Sequence, residues 1–188
     1  MENKKGKFED ENEAALVSKL EEIFRIVNEW LKFAEQKNAS LIVLNAGIIW
    51  GVSRIFSKMP DVEQSSICLN WLGYSLSSLS LLLGIVSLMP ILTYVWYFDE
   101  NTNRKDNALY FAHIAKYSDR AYLDLLAKKL ELKQTTYTGI SYDYASQLIT
   151  NSKITMIKFS RFKVSSYLTL GAVLSFVVSI IIALTGNK

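Results

Sequence analysis

The sequence is poor in the residues that build disulfide scaffolds, metal sites and most catalytic centres. Its single cysteine, Cys68, cannot form an internal disulfide, which excludes a disulfide-stapled domain. Its single histidine, His113, has no partner set at metal-ligand spacing, so we expect no metal site. There is no glycine-rich phosphate loop, no C-x-x-C and no G-x-S-x-G, so we expect no catalytic residue and no enzyme.

Charge is missing from three long stretches of the chain. The 188 residues include 21 basic and 18 acidic side chains, yet none of these lies in Ala39–Ser53, Ser66–Phe98 or Val164–Asn187. A soluble helix carries charge on its exposed face, so uncharged runs of 15, 33 and 24 residues indicate membrane spans. The net charge of +3, without a contiguous basic tract, predicts no nucleic-acid partner.

This alternation of polar and apolar runs predicts an all-α integral membrane protein. We expect three transmembrane helices and a cytosolic helical domain, which the amino-terminal helix and the loop between the second and third spans form together. The predicted segments are a cytosolic tail and amphipathic helix (1–38), a transmembrane hairpin (39–98, with spans at about 39–56 and 67–98), a mainly helical cytosolic region (99–164) and the third transmembrane helix (165–185).

Local signals refine these segments. No proline separates the amphipathic helix from the first span, so we expect one continuous helix there. Pro90 is expected to kink the second span, because it leaves the Val86 carbonyl without its helical donor. Ser118 predicts a helix start, and the pattern from about Ser141 predicts a helix that runs into the third span. Residues 107–116 could be a strand or a helix.

Basic residues near the span ends predict the orientation. Nine Lys and Arg side chains flank the spans on one side, against three on the other. The more basic side is normally cytosolic, so we expect a cytoplasmic amino terminus and a carboxyl terminus outside.

Small and polar residues recur at helical spacing in all three spans. Lipid gives helices no hydrophobic reason to associate, so small side chains that permit close backbone approach predict a packed bundle. Whether they pack the chain's own helices or neighbouring subunits stays open. The Asn45 amide is expected to bond across a helix interface, with a pore-lining role as the alternative. The helix-packing candidates are Asn45, Gly47, Gly51, Gly73, Ser77, Ser80, Gly84, Gly171 and Ser175.

The cytosolic part contains the side chains of a possible small-ligand pocket. Aromatic rings could stack on a base, basic groups could meet a phosphate, and amides could read base edges. The alternative is that the aromatic residues form the core and the lysines lie beside the bilayer. The ligand-binding candidates are Lys37, Phe111, Tyr122, Tyr144, Gln147, Asn151, Lys153 and Lys158.

Three stretches resemble the bacterial Pycsar transmembrane effector family. AEQKNASLIVLNAG (Ala34–Gly47) is similar to its K-A-x-x-L-x-x-N-A signature, although one residue, Asn38, separates the lysine from the alanine here. NALYFAHIA (Asn107–Ala115) also matches, and YDYASQLITNSKITMIKF (Tyr142–Phe159) resembles the family's Y-x-x-x-x-Q…S-x-I…K-F stretch.

The resemblance implies a membrane effector of anti-phage abortive infection. In such systems a partner cyclase makes cyclic CMP or cyclic UMP, and the effector responds by impairing the integrity of the bacterial inner membrane. It implies a multi-pass homo-oligomer in the lipid bilayer, with a nucleotide ligand, no cofactor and a site among the ligand-binding candidates above. Two other interpretations remain: a constitutive membrane scaffold, and a small channel subunit without a nucleotide ligand.

Overall fold

The computed structural model describes residues 2–59, 63–91, 102–103, 105–132 and 137–185, with side chains from residue 11 onward. This described part contains helices and no strand, which confirms an all-α protein. The helices are α1 (Glu2–Phe56), α2 (Gln64–Leu88), α3 (Phe111–Ile114), α4 (Asp119–Lys129) and α5 (Gly139–Thr185). Three of them, α1, α2 and α5, are long and apolar enough to cross a membrane, as the sequence predicts.

The two continuous helices that the sequence predicts are confirmed, and the predicted kink of the second span at Pro90 is wrong. Helix α1 joins the amphipathic segment to the first span, and α5 runs unbroken into the third. Helix α2, by contrast, ends at Leu88 instead of bending at Pro90. Met89 has extended backbone angles, as residues before proline usually do. Residues 92–98 of the predicted second span lie outside the described residues.

Residues 107–116, for which the sequence leaves both strand and helix open, form a turn followed by one helical turn. Asn107 and Leu109 lie in turn structure, and α3 then covers Phe111–Ile114. The predicted helix start at Ser118 is confirmed, because Ser118 is the residue before α4.

The chain forms two compact units, and α1 and α5 contribute residues to both. We call Met1–Phe33 with Ile91–Ile157 the polar unit, and Ala34–Pro90 with Lys158–Lys188 the span unit.

The core of the polar unit is the apolar stripe of α1 with the inner faces of α4 and α5. Buried side chains recur at steps of three and four along each of these helices, as amphipathic helices require. Tyr122 is the largest of them, and its hydroxyl donates to the Ala108 carbonyl at 2.9 Å. The other main contributors are Leu16, Leu20, Ile23, Val27, Leu123, Leu126, Ala145, Leu148 and Ile149.

A carboxylate organises the turn before α3. Asp106 accepts hydrogen bonds from the Asn103 backbone N–H at 2.9 Å and from the Tyr117 hydroxyl at 3.0 Å. The bond from the Asn103 backbone is the main reason why the pKa of Asp106 lies below its ordinary value of 3.8. Burial, followed by the bond to Asp106, raises the pKa of Tyr117 to about 12.

Replacement of this carboxylate should produce an acid-sensitive loss of stability. We expect Asp106→Ala to lower the free energy of unfolding by about 1–3 kcal/mol near neutral pH, because two donors lose their acceptor. Since the folded-state pKa of Asp106 is depressed, its contribution is present above pH 3.8 and disappears as the pH falls through the folded pKa. Denaturation in detergent at about pH 7 and about pH 3 should therefore show a larger difference from wild type at the higher pH.

The exposed Asp143 provides the control for this experiment. Asp143→Ala should change the free energy of unfolding by about 0.5 kcal/mol or less at either pH. An equal loss from both variants would mean that Asp106 does not organise the turn.

The span unit has an interior of small and polar side chains. Every buried residue of α2 is a glycine or a serine, while Leu72, Leu79, Leu82 and Leu88 are exposed. A β-carbon added at Gly73 would lie 2.5 Å from the Phe176 ring, and one added at Gly84 would lie 2.8 Å from Ile42. Close backbone approach at small residues is the usual way in which membrane helices pack.

The other helix-packing candidates divide between the inside and the outside of this unit. Asn45, Ser77, Ser80 and Ser175 are buried, and an added β-carbon at Gly171 would make an ordinary 3.4 Å contact with Leu76. Gly47 and Gly51 on α1, however, have no described atom within 4 Å of an added β-carbon. An added β-carbon at either glycine would therefore meet no described atom, although Gly51 lines an apolar cavity together with Val173 and Phe176 of α5.

Candidate functional site

A concave surface of the polar unit lies along one face of α1. It is a groove of about 810 Å³, within the range of roughly 300–1,000 Å³ typical of small-molecule sites. Its described lining residues all belong to α1, on the face opposite the buried stripe: Ser18, Glu21, Glu22, Phe24, Arg25, Asn28, Glu29 and Lys32.

Two of the ligand-binding candidates predicted from the sequence contact residues that line this groove. The Tyr144 ring lies edge-on to Phe24, with 5.9 Å between the ring centroids. The Asn151 amide donates to the Asn28 side-chain oxygen at 2.8 Å. Both candidates are on α5, so the packing of α5 against α1 within the polar unit places an aromatic pair and an amide pair beside the groove.

The other four candidates in the polar unit lie elsewhere. Tyr122 has no exposed surface, and Phe111 is buried against Trp30 and Tyr110 at centroid distances of 5.7 and 4.8 Å. These two rings form part of the core, in line with the alternative that the sequence left open. Gln147 is exposed and Lys153 half-buried on α5.

Lys37 and Lys158 belong to the span unit. The Lys37 ammonium lies 5.1 Å from the centre of the Phe162 ring. Lys158 is buried, and its ammonium donates to the Ser87 carbonyl at 2.7 Å and pairs with Glu35 at 3.1 Å. Arg161 donates to the neighbouring Val86 carbonyl at 3.2 Å. These two basic residues of α5 therefore cap the carboxyl end of α2.

Capping by Lys158 and Arg161 follows from the position of Pro90. The last carbonyls of a helix have no intrahelical donor, and Pro90 has no N–H to offer to Val86. Cations are favoured at this end of a helix, because the helix dipole is negative there. Lys158 therefore binds the Ser87 carbonyl and Glu35, and the sequence does not predict these contacts.

The groove combines both signs of charge. Arg25 and Lys32 lie about two turns apart on one face of α1, which also carries the carboxylates of Glu21, Glu22 and Glu29. Guanidinium and ammonium groups can bind a phosphate, and carboxylates can accept hydrogen bonds from sugar hydroxyls and from amino groups of bases. The groove therefore offers partners for each part of a nucleotide.

The ligand-binding candidates predicted from the sequence include none of the residues that line the groove. The available signal was Asn28, an uncharged amide on a face otherwise rich in charge, at the middle of the Arg25–Lys32 interval. No cluster of three or more metal-ligating side chains occurs within the described ranges.

A comparison with protein-family models identifies the relationship. The model of the Pycsar effector protein domain matches residues 19–185, which is most of the chain. The chain belongs to the Pycsar effector family. The match includes α2, α3 and α4 in full, most of α1, and all of α5. A search of curated proteins and a search of solved structures each find no match.

Membership of the Pycsar effector family, together with three helices able to cross a bilayer, indicates an anti-phage membrane effector. The family is one of effectors and not a known enzyme family. It also implies a cyclic nucleotide signal from a partner cyclase.

Proposed function

We propose that this Pycsar effector binds cyclic CMP or cyclic UMP in the groove of α1 and then impairs the integrity of the bacterial inner membrane. The family match over residues 19–185 is the observation that carries the proposal, and the groove is a surface of the polar unit whose side chains suit the ligand. In this proposal the polar unit and the amino terminus are cytoplasmic, as the distribution of basic residues favours.

The side chains of the groove suggest how each part of the nucleotide would be held. Arg25 and Lys32 would bind the cyclic phosphate, and the Phe24–Tyr144 pair offers an aromatic surface beside the base. A carboxylate such as Glu29 accepts hydrogen bonds but donates none. Cytosine has an amino donor where uracil has a carbonyl, so we expect cyclic CMP to bind more tightly than cyclic UMP.

Helix α1 provides a route by which ligand binding could act on the membrane. It carries the groove and continues without interruption to Phe56. A nucleotide can shift the protein only if it prefers one helix arrangement over another. A rotation or shift of α1 that improves its contacts with the nucleotide would be transmitted along the same helix into its apolar segment.

The proposal includes a homo-oligomer in the bilayer. A β-carbon added at Gly47 or Gly51 would meet no described atom within 4 Å, and Val43, one turn before Gly47, is 72 % exposed. A face with small residues and exposed aliphatic side chains can accept a helix of another subunit at close range.

The nucleotide site is tested by removing its two basic groups together. We expect Arg25→Gln/Lys32→Gln to raise the Kd for cyclic CMP by about 100-fold or more, because two charge-assisted hydrogen bonds are lost and each costs about 1.5–3 kcal/mol. Isothermal titration calorimetry of the full chain in detergent measures this directly.

Lys128→Gln/Lys129→Gln is the matched control, since it removes two exposed positive charges from α4 of the same unit. It should leave the Kd within about twofold of wild type. Equal affinities of the groove variant and the control would remove α1 from the site. Absence of binding by the wild-type chain would favour a scaffold or channel without a nucleotide ligand.

A further inference from the structure

The interior of the span unit is more polar than that of an ordinary helix bundle. Glycine aside, eleven polar residues and six apolar residues are buried in the described part of this unit. Lys158 is the one ionisable side chain among them, and the others carry hydroxyl or amide groups. These uncharged residues, which we call the polar seam, are Asn38, Asn45, Ser66, Ser77, Ser80, Ser87, Ser165, Thr169, Ser175 and Ser179.

The polar seam is as long as the hydrocarbon layer is thick. On α2 it extends from Ser66 to Ser87, which is about 32 Å along a straight helix. The hydrocarbon core of a bilayer is about 30 Å thick. Hydroxyl groups therefore occur in the interior from one end of the span to the other.

Part of the polar seam is fully hydrogen-bonded. At one end, Ser66 donates to the Ser179 carbonyl at 2.8 Å, and Ser179 donates to the Ser66 carbonyl at 2.6 Å. At mid-length, the Asn45 amide donates to Ser80 at 3.2 Å and to Thr169 at 2.9 Å, which links α1, α2 and α5.

Another part of the polar seam is not satisfied by the protein. Among the described residues, no hydrogen-bond partner lies within reach of the hydroxyls of Ser77, Ser87 and Ser165. Ser77 and Ser87 belong to α2 and Ser165 to α5, and none of the three has any exposed surface. A dry bundle held together only by hydroxyl contacts would pair these groups, since a buried polar group without a partner costs free energy. These three hydroxyl groups are able to hydrogen-bond to water instead.

We propose that the polar seam is the path along which water and small ions cross the membrane when the effector is triggered. A small displacement of α2 from α1 and α5 would expose a continuous row of hydroxyl and amide groups. Such groups both donate and accept hydrogen bonds, so they can replace part of the hydration of either a cation or an anion. The inference rests on the proposed function, because it assigns the place of the leak that the nucleotide would cause.

Cysteine accessibility distinguishes this path from one at the lipid-facing surface. In a Cys68→Ala background, which removes the exposed native thiol, two pairs of neighbouring positions are compared. Ser80→Cys and Ser165→Cys report on the polar seam, and Leu79→Cys and Val164→Cys, at nearly the same depth, report on positions that are 48 % and 49 % exposed on the outer face. The probe is a membrane-impermeant methanethiosulfonate, which reacts with the hydrated thiolate and not with a thiol in lipid.

The proteins are reconstituted in liposomes, and ion efflux and labelling are measured with and without cyclic CMP and cyclic UMP. We expect nucleotide to raise the labelling rate of Ser80→Cys and Ser165→Cys by about tenfold or more, and labelling to reduce the efflux. The rates of Leu79→Cys and Val164→Cys should change by less than about twofold. Because the two polar-seam positions are on different helices, failure of one variant to fold leaves the other as a test.

Two results would overturn the inference in different ways. If nucleotide triggers efflux while Ser80→Cys and Ser165→Cys label no faster than their neighbours, the path lies outside the polar seam and the proposed function stands. If neither nucleotide triggers efflux from the Cys68→Ala parent or from wild type, the proposed function fails and the inference fails with it.

Discussion

Replacement of Lys158 by methionine is expected to lower the free energy of unfolding by about 2–4 kcal/mol. Methionine keeps most of the side-chain volume but removes the donor to the Ser87 carbonyl and the partner of Glu35. Loss of the ammonium is costly because the buried Ser87 carbonyl then stays desolvated without its donor. Since the Glu35 side chain is 46 % exposed and regains water, we expect a loss toward the lower end of this range.

Lys37 allows a comparison within the same unit. Lys37→Met removes a half-buried ammonium beside Phe162, and we expect it to cost about 0.5–1 kcal/mol. Both variants should be unfolded in parallel in a detergent in which the chain is monomeric, with helicity as the signal. Similar losses from the two substitutions would show that the contact of Lys158 with the end of α2 has no special importance.

Gly73→Ala is expected to destabilise the span unit although it adds a single methyl group. The new β-carbon would lie 2.5 Å from the Phe176 ring, which is closer than two carbon atoms can approach. Phe176 is only 3 % exposed and packs edge-on against Tyr74, so the ring has little room to move. Overpacking of this kind costs about 1–3 kcal/mol, and a larger residue such as leucine should cost more.

Gly47→Ala makes the same chemical change on the outer face of α1. No described atom lies within 4 Å of the added β-carbon, and alanine is the better helix former by about 1 kcal/mol. The melting temperature of monomeric Gly47→Ala in detergent should therefore equal or exceed that of wild type, while that of Gly73→Ala falls. Equal melting temperatures for the two variants would contradict the close approach of α2 and α5 at Gly73.

The sequence predicts the spanning helices well because the signal depends on local composition. A run of 24 uncharged residues, such as Val164–Asn187, is long enough to identify as a membrane span without knowledge of the helices that pack against it. The end of α2 is different. Hydropathy continues unchanged past Pro90, so the run predicts one kinked helix, whereas the helix ends at Leu88. Lys158 and Arg161 cap that end, and they lie about 70 residues further along the chain.

The candidate nucleotide site was predicted less completely because it depends on tertiary packing. Tyr144 and Asn151 were proposed from residue type, and their contacts with Phe24 and Asn28 follow from the pairing of α5 with α1 in the polar unit. Residue type alone did not separate these from Tyr122, which has the same chemistry but lies in the core.

The same limit applies to the small residues of the spans. The G-x-x-x-G pair at Gly47 and the serine and glycine stripe of α2 have similar patterns in the sequence. Only the fold shows that the stripe faces inward and that Gly47 is exposed. Their roles therefore differ: the stripe permits close packing within the chain, and in the proposed oligomer Gly47 and Gly51 would contact another subunit.

The most direct test is ion leakage from liposomes that contain the purified wild-type chain. Cyclic CMP and cyclic UMP are added separately, with cyclic AMP as the purine control. We expect slow leakage without ligand, a marked increase with cyclic CMP or cyclic UMP, and no increase with cyclic AMP or with the Arg25→Gln/Lys32→Gln variant. A leakage rate that is the same with and without either pyrimidine nucleotide would contradict the account, whether that rate is negligible, as for a scaffold, or high, as for a constitutive channel.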